Sequence, residues 1–161
     1  MSEAATPSPK ASGEEIEAIV CDRFPELSYI SDRTARWHDA RVDEVLEPGG
    51  DLLGVGINLL EVGTPVEIKG CQVEYSRGRS GRWYIRKRQH KKLLEEGGVY
   101  LFAVYGLRGT THRVVAMAIV AATTVDGLIS DGWTTRDERS GEEGYRQLAW
   151  SRVIPDEVID A

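Results

Sequence analysis

The apolar positions divide the chain into an opening helix, a set of strand-like runs and a second short helix. Ile16, Ile19, Val20 and Phe24 recur at helical spacing, so residues 13–21 read as a helix. Ser12, with Glu15 three residues on, has the form of a capping box, and Pro25 ends the stripe. Tyr29, Ile30, Trp37 and Val42 show no clear period, and Val42 to Leu46 reads as either a short helix or a strand. After the break at Pro48-Gly49-Gly50, residues 51–57 read as a strand. A connection containing Gly63 leads to a second strand at 64–71, and the two runs are expected to pair antiparallel. Residues 82–85 have the aromatic and β-branched content of a strand. From Arg86 the period turns helical, and Gly97-Gly98 stops it. The unbroken apolar run 99–105 predicts a central strand covered on both faces, and 113–123 predicts another. Residues 126–143 read as loop, Trp150 and Val153-Ile154 as core, and Pro155 as the start of a last helical turn. The order predicts a mixed α/β sheet with helices packed against it.

Length fits one domain over residues 13–161, behind a tail at 1–12 rich in Ala, Ser and Pro that is expected to be disordered. No apolar run approaches the roughly 18 residues that a membrane helix needs. The tail has no signal-peptide core, so a cytoplasmic protein is expected. Cys21 and Cys71 lie too far apart for a CxxC motif and read as reduced and mostly buried. His38, His90 and His112 are scattered, so no zinc spacing exists, and His90 reads as a helix-surface residue. Any metal would be a hard ion held by carboxylate oxygen.

Charge changes the picture. The net charge is −6, yet residues 77–92 contain no acid and 8 of the 20 basic residues: Arg77, Arg79, Arg82, Arg86, Lys87, Arg88, Lys91 and Lys92. The rest of the chain carries 12 bases against 26 acids. Such segregation points to a polyanionic partner on one face. Trp83 and Tyr84 interleave with the bases, Trp83 reading as core. Gly78 and Gly81 make a mobile turn where Arg79 and Arg82 can meet phosphates.

In the strand at 66–70, residues two apart share a face, so Glu67 and Lys69 stand together, roughly 6–7 Å apart. Asp51 lies 16 residues before Glu67, a gap that fits one strand, a connection and a second strand. Two carboxylates so placed can hold Mg²⁺ while leaving positions for water and phosphate. A lysine two residues on can orient the water or stabilise developing negative charge.

An acid, a gap and Glu67-Ile68-Lys69, followed by a basic strand-helix unit, resembles the PD-(D/E)XK nucleases of the restriction-endonuclease-like fold. The likeness covers roughly residues 13–105, with a core of helix, three strands, helix and strand. It implies an αβββαβ core and a Mg²⁺-dependent DNA endonuclease, with Mn²⁺ as a substitute. Asp51 and Glu67 would bind the metal, Lys69 would assist the attacking water and Gln89 would be an accessory site residue. Gly50 stands where the family name suggests proline. Asp43 is the rival first acid, and either Glu15 or Glu17 can join from the first helix. Arg77, Arg79, Arg82, Arg86, Lys87, Arg88 and Lys91 would contact the DNA, double-stranded or branched.

Repair, recombination and restriction roles stay open, as does a homodimer, for which the Trp133–Trp150 region is a candidate face. Two other readings stand beside the nuclease: a catalytically inactive nuclease-fold module that only holds nucleic acid, and an assembly protein that works through its acidic surface.

Overall fold

In chain order the elements are α1 (Pro9–Arg23), β1 (Leu27–Tyr29), β2 (Ala40–Val42), β3 (Leu52–Val55), β4 (Pro65–Gln72), β5 (Arg82–Arg86), α2 (Lys87–Glu95), β6 (Val99–Arg108), β7 (Thr111–Ala121), α3 (Ala122–Leu128), β8 (Tyr145–Ala149), a 3₁₀ turn (Trp150–Arg152) and α4 (Asp156–Asp160). The computed structural model describes residues 9–30, 38–74, 78–129, 132–134 and 144–160. Six strands form one sheet in the order β1-β2-β4-β6-β7-β3, and β5 and β8 form a separate two-stranded ribbon. The β4–β6 and β3–β7 pairs are parallel and the others antiparallel, so the mixed sheet flanked by helices matches the expectation.

The run 99–105 is buried throughout because β6 lies inside the sheet with a core on each face. On one face Ile16 and Val20 of α1 pack with Val66, Ile68, Leu101 and Ile119. On the other, Trp83, Ile85 and Leu148 of the ribbon and Leu93 of α2 pack on Tyr100 and Phe102. The Trp83 ring stacks on Phe102 at 4.1 Å, and its indole N–H donates to the Ala103 carbonyl at 2.9 Å. A buried indole needs such a partner, and this one fastens the ribbon to the middle of the sheet.

Two glycines set how closely elements approach. At Gly70, an added Cβ would lie 3.1 Å from the Ile16 side chain, so its hydrogen lets α1 lie close to β4. At Gly81, an added Cβ would collide with the Gln72 carbonyl oxygen. The Gly81 N–H also donates to Val73 O at 3.0 Å, which ties the ribbon to the end of β4. Gly81→Ala forces this crossing apart and is expected to cost about 3 kcal/mol. Thermal unfolding should then shift down by about 6–12 °C.

Three expectations are corrected. The first helix begins at Pro9, so it takes in the last four residues assigned to a tail; proline is well suited to a first helical turn. Ser12 is not an N-cap: it is buried within α1, and its hydroxyl meets His112 Nε2 at 2.9 Å. The strand after Asp51 does not pair with β4; it lies parallel to β7 at the far edge of the sheet. Its alternation shows that one face is covered but carries no information on which strand lies beside it. The place beside β4 is taken by β2, a three-residue strand too short to show a period. In the Trp133–Trp150 region, where residues 135–143 lie outside the described residues, Trp150 is buried with its N–H on Val73 O at 2.8 Å, and Trp133 lies against the His90 ring. Both cysteines are free thiols, Cys71 buried and Cys21 half-buried. Among the described residues no helix is long and apolar enough to cross a membrane.

Candidate active site

The short strand β2 creates the site. It pairs with β4 only at Arg41–Pro65 and Ala40–Val66. Beyond Val66 no strand among the described residues pairs with this edge of β4, and its backbone groups need other partners. Asp39, one residue before β2, supplies one: its Oδ2 accepts the Ile68 N–H at 2.8 Å. The Asp39 N–H meanwhile donates to Val66 O at 3.0 Å. The acid is thereby anchored beside Glu67 by backbone on both sides.

Along this open edge runs a cleft of about 760 Å³. Ser12, Gly13 and Glu17 of α1 form one wall, and Arg82, Tyr84 and Arg86 of β5 form another. Asp39, Glu67, Lys69 and Gln89 meet between them. Lys69 Nζ lies 3.6 Å from Glu67 Oε1 and donates to Gln89 Oε1 at 3.1 Å. Glu67, Lys69 and Gln89, separated by up to 22 positions in the sequence, thus come together in one cleft.

Glu67 is only 3% exposed, and its Oε2 has no hydrogen-bond partner among the described residues. Burial pushes its carboxyl well above the usual carboxylate range; Lys69 opposes this, and the Asp39 and Glu17 carboxylates reinforce it. Burial, then Asp39 and Glu17, push the Cys21 thiol up to about 11. Three carboxylates therefore act on one small region at the junction of α1, β2 and β4.

The donor set suits a hard divalent cation. Two carboxylates converge, one of them with a buried oxygen that has no partner among the described residues, and the one thiol in the lining, Cys71, is held protonated by burial. Among the described residues no cluster of three or more His, Cys, Asp or Glu side chains has a metal-holding arrangement. A cation here would rest on Asp39 and Glu67, leaving its other positions to water and phosphate oxygen.

The remaining predicted residues divide plainly. Asp51 is exposed and lines a different groove with Arg23 and Glu157. Since β7 and β6 stand between β3 and β4, three strand spacings place it roughly 14 Å from the Glu67 strand. Asp43 is exposed beyond the paired end of β2, its N–H on Glu26 O at 2.8 Å, and does not line the cleft. Of the two helix acids, Glu17 lines the cleft and Glu15 does not. Arg82 and Arg86 line it; Arg79 is exposed on the preceding turn, and Arg88 and Lys91 are exposed on α2. Lys87 is half-buried at the start of α2, and Arg77 lies outside the described residues.

Two further groups were not legible in the sequence. Asp39 was hidden by the shortness of β2; its only signal was the alternation of Ala40, Arg41 and Val42. His90 is 1% exposed, not a surface residue. Its Nε2 lies 3.0 Å from the exposed Asp126 carboxylate and its Nδ1 2.9 Å from the Tyr100 hydroxyl. The carboxylate can only accept from the ring, so Nε2 carries the proton and Nδ1 accepts from Tyr100. Burial holds the His90 pKa below its ordinary value, against the pull of Asp126. This buried pin fixes α2 on β6 and α3, and so fixes Gln89, its neighbour, above Lys69.

The sequence model of the PD-(D/E)XK nuclease superfamily domain matches residues 3–155 of the chain. No curated protein and no solved structure matches it. The acid-X-lysine of that family's name corresponds here to Glu67-Ile68-Lys69 on β4. Beside that strand stands Asp39, preceded by the buried His38.

Proposed function

We propose that this chain, which belongs to the PD-(D/E)XK nuclease superfamily, is a divalent-metal-dependent DNA endonuclease that works in the cleft along β4. The observation that carries this reading is the anchoring of Asp39 beside Glu67 by the Ile68 N–H, with Lys69 and Gln89 in the same cleft.

Asp39 and Glu67 would hold the cation. When bound, a Mg²⁺ or Mn²⁺ ion supplies Lewis-acid polarisation of the phosphate and a lowered pKa for water. Lys69, held by the Gln89 amide oxygen, offers its remaining N–H groups to the charge that develops at the phosphate. Glu17 adds a carboxylate from the far wall and can hold a water within reach of the acids. Arg82 and Arg86 sit where they can meet the phosphates flanking the scissile one. The exposed bases of α2 extend the positive surface outward.

Cleavage of plasmid and branched DNA in Mg²⁺ tests the reading. The wild type should cut, Glu67→Ala should not, and binding should fall steeply with salt as counterions are released. Equal cutting by both proteins rejects the site.

One observation favours a second reading, a module that holds nucleic acid without cutting it. Only two acids converge closely, and no three-residue metal cluster exists among the described residues. That reading predicts tight DNA binding with no cleavage in either Mg²⁺ or Mn²⁺.

A further inference from the structure

The ribbon that walls the cleft has two chemically distinct faces. Strand alternation turns Trp83 and Ile85 inward, where both are fully buried, and leaves Arg82, Tyr84 and Arg86 on the other side. The register sets Tyr84 opposite Gln147 and Arg86 opposite Tyr145. The Tyr84 and Tyr145 rings stack at 4.5 Å with 7° between their planes. Gln147 joins Arg82, Tyr84 and Arg86 in lining the same cleft as Asp39 and Glu67. An aromatic ring between two arginines therefore stands across from the acids.

A paired and stacked duplex offers a protein its phosphates and base edges, while the flat faces of its bases are covered by their neighbours. Phosphate binding alone would need only Arg82 and Arg86. A tyrosine flanked by cations, backed by a second ring, is the combination that grips unpaired nucleotides: cations follow the backbone while a ring receives a base. We propose that this face of the ribbon binds an unpaired stretch of nucleic acid, with Tyr84 stacking a base beside the scissile phosphate. Preferred substrates then carry a single-stranded arm, gap or open junction at the cut site. The inference rests on the nuclease reading and narrows its substrate class.

The test is equilibrium binding by fluorescence anisotropy with the full chain carrying Glu67→Gln, so that probes stay intact. The probes are a single strand, a blunt duplex of the same length and that duplex with a single-stranded arm. The single strand and the armed duplex should bind at least about tenfold tighter than the blunt duplex, and Tyr84→Leu should weaken them by about 5- to 150-fold. Leucine keeps bulk against Tyr145 but has no ring face; Tyr84→Phe keeps the ring and should bind as tightly as tyrosine. Tyr145→Leu removes the Tyr–Tyr stack yet leaves the cleft ring, and should weaken binding less than Tyr84→Leu. Thermal melts confirm that each variant folds.

Unchanged single-strand affinity in Tyr84→Leu, equal losses in Tyr84→Leu and Tyr145→Leu, or equal affinity for blunt and unpaired probes would overturn the proposal. Blunt-duplex cleavage by the wild type alongside any of these results would leave the nuclease reading standing. Absence of both binding and cleavage would remove both.

Discussion

Asp39→Asn should abolish cleavage, lowering the rate by about 10³-fold, while Asp51→Asn stays within about twofold of the wild type. The magnitude follows from removing one of two carboxylates that hold the cation, since metal-based charge stabilisation contributes several kcal/mol and each 1.4 kcal/mol is tenfold in rate. Asparagine is the informative replacement. Its side-chain oxygen still accepts the Ile68 N–H, so the open edge of β4 keeps its partner while the charge disappears. Asp51, at the opposite edge of the sheet, shares no wall with Glu67. A single-turnover assay in Mg²⁺ compares the pair. Loss of activity on Asp51→Asn with retention on Asp39→Asn would reverse the site assignment.

Glu67→Gln should remove activity and at the same time stabilise the metal-free protein. Burial raises the carboxyl's pKa well above its ordinary value, so the folded state holds a proton that the unfolded chain releases near pH 4.5. The stability linked to that proton is fully present below the unfolded value and is lost as pH rises through the folded one. Glutamine carries no such proton. Its advantage should be absent at low pH, grow above about pH 4.5, and level off once wild-type Glu67 is ionised. An incompletely compensated buried polar group costs about 1–3 kcal/mol, so the melting temperature at neutral pH should rise by several degrees. Mg²⁺ should raise the melting temperature of the wild type and not of the variant, because the ion needs the ionised carboxylate that burial opposes. Melts across pH, with and without Mg²⁺, check the sign. A variant that loses stability at neutral pH would show that Glu67 is held by partners stronger than Lys69.

The strand of Glu67 and Lys69, the buried run at 99–105 and the helix after Arg86 were legible because each is long or strongly patterned. The local part of the site was legible for the same reason: Glu67 and Lys69 share a strand face, and Gln89 opens the next helix. The first acid was not. Leu52–Val55 is a real strand, but its parallel partner β7 lies far along the chain, and proximity in sequence suggested β4 instead. Asp39 depends on a strand of three residues whose brevity leaves the cleft open. His90 looked exposed because its neighbours on α2 are cations, yet its ring turns inward to Tyr100 and Asp126. In each case a long-range partner decided the outcome.

Gly70 gives the cleft its width. With only a hydrogen at that position, α1 settles against β4, and Glu17 is carried into the same opening as Glu67. Any side chain there would act as a shim under the helix, tilting the Glu17 wall outward without touching Glu67 on β4 or Asp39 beside it. The aperture for a passing strand and the chemistry performed on it are therefore tuned by different residues, so the gap can change while the reactive groups stay as they are.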